Sequence, residues 1–186
     1  LYADTATRPH IVEDYSGDGK TLLLHRRDSL LALHLDGRAT PIVLGRVKGV
    51  SEVRFSPDGK QVSYSSNESG PEQIYVASYP ALDHRRQLSA NGGRQARWRG
   101  DGKEVYFLAP DGKVMVVAAK GGADGEFSAP VALFQSPVVT PRPGINQWDV
   151  TRDGQRFLFA GAFEDAVSKI QLLTVLMNWT SMLPKE

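Results

Sequence analysis

An Asp-Gly pair set in the same short hairpin signature recurs four times along this chain, and no other feature restricts its possible folds as strongly. The copies are Tyr15-Ser16-Gly17-Asp18-Gly19-Lys20, Phe55-Ser56-Pro57-Asp58-Gly59-Lys60, Trp98-Arg99-Gly100-Asp101-Gly102-Lys103 and Val150-Thr151-Arg152-Asp153-Gly154-Gln155. Their glycines, Gly19, Gly59, Gly102 and Gly154, stand 40, 43 and 52 residues apart. A period in this range marks a repeat fold in which each copy is one supersecondary unit that buries its apolar faces against its neighbours.

The flanks repeat with the turn. Four residues before each glycine stands Tyr15, Phe55, Trp98 or Val150; three after it stands Leu22, Val62, Val105 or Phe157, and five after it Leu24, Tyr64, Phe107 or Phe159. Apolar positions two apart on both sides of a turn read as paired strands. In the second copy Pro57 presets φ for the second turn position, Asp58 suits the third, and Gly59 supplies the left-handed residue that closes the hairpin through a bulge. The proline position varies among the copies whereas Asp-Gly does not, so Asp18, Gly19, Asp58, Gly59, Asp101, Gly102, Asp153 and Gly154 are the structural turn residues.

Two further strands fit in each repeat: 29–35 and 41–44 in the first, 73–78 and 86–88 in the second, 113–118 and 131–134 in the third. Residues 170–177 have helical periodicity, but their β-branched content favours a strand. The expected fold is therefore all-β, a β-propeller of four-stranded antiparallel blades with about four repeats, near 8–45, 46–90, 91–135 and 136–183, and a tail at 184–186. The fourth repeat lacks an evident outer strand unless residues 1–5 supply it. Ring closure is thus expected to come from the rest of a longer chain or from self-association. The sequence begins at Leu1 without a signal-peptide pattern, as a fragment or mature portion would.

Composition narrows the functional classes. The 22 basic and 21 acidic residues leave a net charge of +1, which argues against a broad field for nucleic acid. Cysteine is absent, which removes disulfides and thiolate chemistry. No apolar run approaches the roughly 20 residues of a membrane-spanning helix, so no membrane insertion of this segment is expected.

The hairpins resemble the TolB-like, WD-like propeller repeats of bacterial proteins, whose hallmark is the Phe-Ser-Pro-Asp-Gly-Lys turn. The likeness extends to Ser69-Gly70-Pro71-Glu72-Gln73-Ile74-Tyr75-Val76, to Arg97 through Lys113, and to Asp149 through Leu158 with Leu176-Met177-Asn178-Trp179. These segments resemble the C-terminal part of propellers that follow serine/threonine kinase or winged-helix regulator modules. The resemblance implies a non-catalytic sensing or interaction region, an extracytoplasmic (periplasmic) location and more blades than four. The first repeat departs from the pattern, with Gly17 in place of proline and Glu13 where an apolar residue is expected.

Candidate sites weigh against plain alternatives. Gly19-Lys20-Thr21 resembles the tail of a P-loop, but Asp14 replaces the required glycine and strands replace the strand-helix context. Asp14 to Gly19 and Asp149 to Gly154 resemble the start of a calcium loop, but His25 and Ala160 stand where the bidentate glutamate belongs. His10, His25, His34 and His84 have no metal-ligand spacing, and no metal or cofactor is expected. Strand alternation makes Trp98 a core residue between solvated Arg97 and Arg99, not a nucleic-acid platform. No nucleophile elbow is present, since Ser65 to Gly70 lacks its first glycine. The stretch 135–147 explains the long third spacing, and long loops on rigid scaffolds often bind. Arg142, Asn146 and Trp148 are the ligand-binding candidates there, with a Pro-rich connector the plain alternative.

The favoured function is a non-catalytic ligand- or protein-binding propeller, a sensor or scaffold with an unknown protein or small-molecule partner. The alternatives are an accessory propeller of a peptidase resembling the prolyl oligopeptidase group, and a propeller enzyme with a metal in its channel.

Overall fold

A computed structural model describes residues 9–37, 40–120, 125–137, 146–160 and 173–177. All regular structure among them is β. The first sheet is β1 (Ile11–Tyr15), β2 (Thr21–Arg26), β3 (Ser29–His34) and β4 (Ile42–Arg46), paired in that order. The second is β5 (Ser51–Phe55), β6 (Gln61–Ser66), β7 (Gln73–Ser78) and β8 (Arg86–Gln87), again in chain order. The third contains β9 (Arg94–Trp98), β10 (Glu104–Leu108) and β11 (Lys113–Lys120), with both β12 (Glu126–Phe127) and β13 (Val131–Gln135) paired to β11. The fourth is β14 (Trp148–Val150), β15 (Arg156–Ala160) and β16 (Leu173–Met177). All pairings are antiparallel. β16 bears out a strand over 173–177, while residues 1–5 and 170–172 lie outside the described residues.

The four Asp-Gly turns are built alike. The glycine N–H donates to the carbonyl of Ser16, Ser56, Arg99 or Thr151 at 2.8–2.9 Å, and these same residues donate their N–H to the carbonyls of Thr21, Gln61, Glu104 and Arg156. Gly19, Gly59, Gly102 and Gly154 have φ of 70°, 69°, 73° and 73°, the left-handed conformation that a glycine takes without a Cβ penalty. Each aspartate accepts the N–H of the residue two further on, at 3.0–3.1 Å. It also accepts from the side chain two residues back: the hydroxyls of Ser16, Ser56 and Thr151, or the Arg99 guanidinium. The Asp-Gly pair is retained because it makes both the turn and its internal hydrogen bonds.

The sheets pack face to face, with one apolar layer between each consecutive pair. Leu23 and Leu30 of the first sheet meet Val53, Val62, Tyr64 and Ala77 of the second. On the other face of the second sheet, Ile74 and Val76 meet Ala96, Val105, Phe107 and Val117. Tyr106, Leu108 and Val114 then meet Trp148, Phe157 and Phe159 of the fourth sheet. Alternate residues of β10 therefore go to different layers, Val105 and Phe107 to one and Tyr106 and Leu108 to the next. This is why its sequence, EVYFL, is apolar almost throughout instead of alternating with polar residues. At roughly 25 cal/mol per Å² of apolar surface, such two-sided burial is the main stabilising term.

Candidate functional site

The first strands of the four sheets, β1, β5, β9 and β14, lie next to one another, and together they wall one side of a cleft of about 950 Å³. The cleft is built from equivalent positions of the repeat. Gly17, Pro57, Gly100 and Arg152, the variable turn position, all line it, and so do Asp14, Arg54, Arg97 and Asp149, the residues directly before the aromatic or valine of each hairpin. A Cβ on Gly17 would stand 3.9 Å from the Pro57 carbonyl, and one on Gly100 only 2.9 Å from that of Arg152, to which the Gly100 N–H donates at 2.8 Å. Neighbouring turns thus meet here with a glycine opposite a larger residue, which gives a steric reason for proline not recurring at this position.

β5, β9 and the residue before β14 are each held to the preceding sheet by a side chain that accepts a main-chain N–H. Glu13 takes the N–H of Glu52 at 3.0 Å through Oε1 and of Val53 at 3.2 Å through Oε2. Glu52 Oε2 takes the Gln95 N–H at 2.7 Å, and Gln95 Oε1 takes the Gln147 N–H at 3.0 Å. The backbone is bent to allow this. Glu52 and Gln95 have φ of 55° and 58°, and the strand registers slip beside them, as they also do at Val12/Asp14. A β-bulge re-aims a side chain in this way, and a left-handed non-glycine residue costs about 1–2 kcal/mol that the gained hydrogen bonds must offset. Glu13, read from sequence as a misfit, is the first of these clasps; it also pairs with His25 at 2.6 Å.

Arg97 corrects the expectation of a solvated side chain. Trp98 and Arg97 do face opposite ways, but both faces of an inner sheet are covered, so Arg97 is 7% exposed and Trp98 only partly buried. Arg97 Nη2 donates to Asn146 Oδ1 at 3.0 Å and to the Trp148 carbonyl at 3.1 Å, and Nη1 to the Ala96 carbonyl at 2.9 Å. Its Nε lies 3.4 Å from Asp149 Oδ1, and its guanidinium carbon 5.8 Å from the centre of the Trp148 ring. Burial, with Arg54 nearby as a second positive charge, brings the Arg97 pKa down to about 10, against the pull of Asp149, Glu52 and Asp14. It stays charged at neutral pH.

Of the three ligand-binding candidates, Asn146 and Trp148 line the cleft, and Arg142 lies outside the described residues. The Trp148 indole is 4% exposed, stacked on Phe157 and Phe159, so it backs Arg97 as part of the core. Arg54 and the clasp residues Glu52, Gln95 and Gln147 escaped the sequence reading, while Asp14 and Glu13 were noted there for other reasons. The available signal was a charged residue before the hairpin aromatic or valine in every copy: Asp14, Arg54, Arg97 and Asp149. The calcium-like aspartates, Asp14 and Asp149, are occupied with main-chain N–H groups of Phe55 and Val150. Among the described residues no three His, Asp or Glu side chains gather to hold a metal ion.

No family model matches the chain, and no curated protein matches it. Solved structures do. TolB from Acinetobacter baumannii superposes with a TM-score of 0.61 at 18% identity, over 91% of this chain and 44% of that one. The propeller domain of the Trilobed protease from Pyrococcus furiosus, described as having an open velcro topology, gives 0.52 at 14% identity, over 89% and 53%. The chain is a β-propeller. Its four sheets are blades, and β1, β5, β9 and β14 are the strands nearest the propeller axis. A putative 6-phosphogluconolactonase from Bacteroides uniformis matches with 0.55 at 19% identity, over 90% and 55%. The propeller thus spans about half the length, or less, of these relatives, and identities this low establish the fold alone.

Proposed function

We propose that this propeller is a non-catalytic binding module, a sensing or interaction region of a longer polypeptide, and that its ligand enters the axial cleft. The observation that carries this reading is the cleft itself: equivalent positions of four blades supply acidic and basic side chains to one cavity of about 950 Å³. Ligand pockets of several hundred Å³ with a few convergent polar groups are the default binding sites of such scaffolds. Asp14, Asp149 and Arg97 are engaged in main-chain and ion-pair contacts, and no nucleophile-base pair lies among the charged groups of the cleft. The TolB-like resemblance favours an extracytoplasmic setting and an attached kinase-type or regulator module.

Thermal-shift measurements on the chain with a panel of acidic, basic and neutral small molecules and short peptides test this reading. At least one class should raise the melting temperature, with no turnover of the compound. Gly17→Trp, placed at the cleft mouth where a Cβ has only the Pro57 carbonyl near it, should abolish the shift while leaving the parent fold. Stabilisation that survives Gly17→Trp would move the site elsewhere, and chemical conversion of a bound compound would make the propeller an enzyme.

A further inference from the structure

Arg54 and Arg152 are the arginines of the cleft with hydrogen-bonding capacity unspent among the described residues; Arg152 lies exposed on a turn, whereas Arg54 is anchored on an inner strand. Its Nη1 donates to the Glu13 and Val53 carbonyls. Its Nε and Nη2 have no acceptor among the described residues. The Nε–Nη2 edge of a guanidinium presents two parallel N–H donors with the spacing of a carboxylate, which is the bidentate arrangement that favours arginine at such sites. Nη1 is fixed to the backbone of the neighbouring blade, so the side chain is held before a ligand arrives and loses less entropy on binding. Arg97 lines the same cleft, immobilised by Asn146 and Trp148, and its pKa is lowered by burial and then by the Arg54 charge. Two guanidiniums that repel each other on one wall of a cleft gain when an anion is placed between or beside them.

The rest of the cleft sets the size of that charge. Asp14 and Asp149 occupy the positions equivalent to Arg54 and Arg97, and Glu13 lines the cleft as well. These carboxylates offset Arg54, Arg97 and Arg152, which also line the cleft, so the cavity is not a broad positive basin. A singly charged planar anion fits this balance, whereas a multiply charged phosphate would meet three carboxylates. We infer that the axial cleft binds a carboxylate-bearing ligand whose carboxylate sits on the Nε–Nη2 edge of Arg54, with Arg97 supporting it electrostatically. This rests on the cleft being the ligand site, as proposed above.

Isothermal titration with three pairs of probes tests it: propionate against propionamide, trialanine against its C-terminal amide, and inorganic phosphate against chloride. Each carboxylate probe is also titrated into Arg54→Gln and Arg54→Lys. At least one acid should bind, with its neutral amide weaker by about tenfold or more, the factor expected when a charge-assisted bidentate contact is lost. Arg54→Gln should lose the same factor. Arg54→Lys, a point charge without the fork, should fall between. Propionate binding points to a small acid and trialanine binding to a peptide terminus. Equal affinity for acid and amide, unchanged affinity in Arg54→Gln, phosphate binding tighter than either acid, or no binding of either acid up to about 10 mM would overturn the inference. The acid-amide and phosphate arms use the parent chain, so they decide the matter even if a variant fails to fold. A neutral compound that stabilises the parent but not Gly17→Trp would leave the cleft as the binding site while the carboxylate assignment fails. Acid binding that needs Arg54 but ignores Gly17→Trp would instead refute entry through the cleft mouth.

Discussion

Single residues divide the repeated turn into parts with different costs. Gly59 has φ of 69° and open space where a Cβ would go, so Gly59→Ala should cost only the backbone term, about 1 kcal/mol. Gly154 has φ of 73° too, but a Cβ there would stand 2.5 Å from the Tyr106 hydroxyl and 3.0 Å from the Arg99 side chain. Gly154→Ala should therefore lose about 2–3 kcal/mol, since overpacking adds to the strain. Urea unfolding of the two variants checks the difference; equal losses would show that the blade contact yields freely. The turn aspartates set a pH limit. Asp18 is held below the ordinary carboxylate value by the Ser16 hydroxyl and the Lys20 N–H, Asp101 by Arg99, and Asp153 by the Thr151 hydroxyl and the Gln155 N–H. A lowered folded pKa means that the folded chain releases the proton first, so the stability is present above the unfolded value, near 3.8, and is lost as pH falls below it. Glu72 has the opposite sign: burial raises it against the pull of Arg94, so its contribution is present at low pH and is lost as pH rises through the raised value. Melting temperatures between about pH 5 and pH 2 should fall for the parent and fall less steeply for Asp18→Asn/Asp153→Asn, because those two carboxylates then no longer titrate.

At the scale of the element, the inner strand does more than pair with its neighbour. Its bulge carries a carboxylate or amide to the next blade's backbone, and the chain Glu13 to Glu52 to Gln95 to Gln147 links all four blades. Glu52 holds the Gln95 N–H and the Ser65 hydroxyl, both buried. Removing the acceptor in Glu52→Ala leaves two buried donors unsatisfied, so a loss of about 2–4 kcal/mol is expected from denaturant unfolding. Glu52→Gln keeps an acceptor for these donors and removes a buried carboxylate, so it should stay within about 1 kcal/mol of the parent. The third blade already uses Gln95 in this place. A Glu52→Gln loss as large as that of Glu52→Ala would mean that the negative charge itself, and not the hydrogen bond, holds the blades together.

The whole molecule presents an apolar surface on its first blade. Ile11, Val12, Tyr15, Ile42 and Val43 are 46–66% exposed, on the first and last strands of that sheet. Exposed apolar side chains on edge strands promote association. Self-association of the isolated chain through this blade is therefore the expected outcome. Light scattering on the isolated chain should accordingly show a mass that grows with concentration, and Val12→Glu/Val43→Glu should shift it toward the monomer. A monodisperse monomer at every concentration would show that these four blades need no further cover.

The fold was legible because its signals are local. The left-handed glycine, the aspartate that satisfies the turn's own donors and the apolar positions two apart are properties of a few consecutive residues, so four copies sufficed to give the fold class, turn type and most strand limits. Expectations failed where a residue's surroundings come from another blade. Alternation showed that Arg97 and Trp98 face opposite ways, but only the packing of the fourth blade decided that the Arg97 side is covered by Asn146, Trp148 and Asp149. Likewise Glu13 looks out of place in its own repeat, because the N–H groups it accepts belong to residues 39 and 40 positions later. Sequence determined the unit, through short-range conformational preference. The cleft and its charges were decided by tertiary structure, since a site built from one position of each of four blades exists only once those blades are side by side.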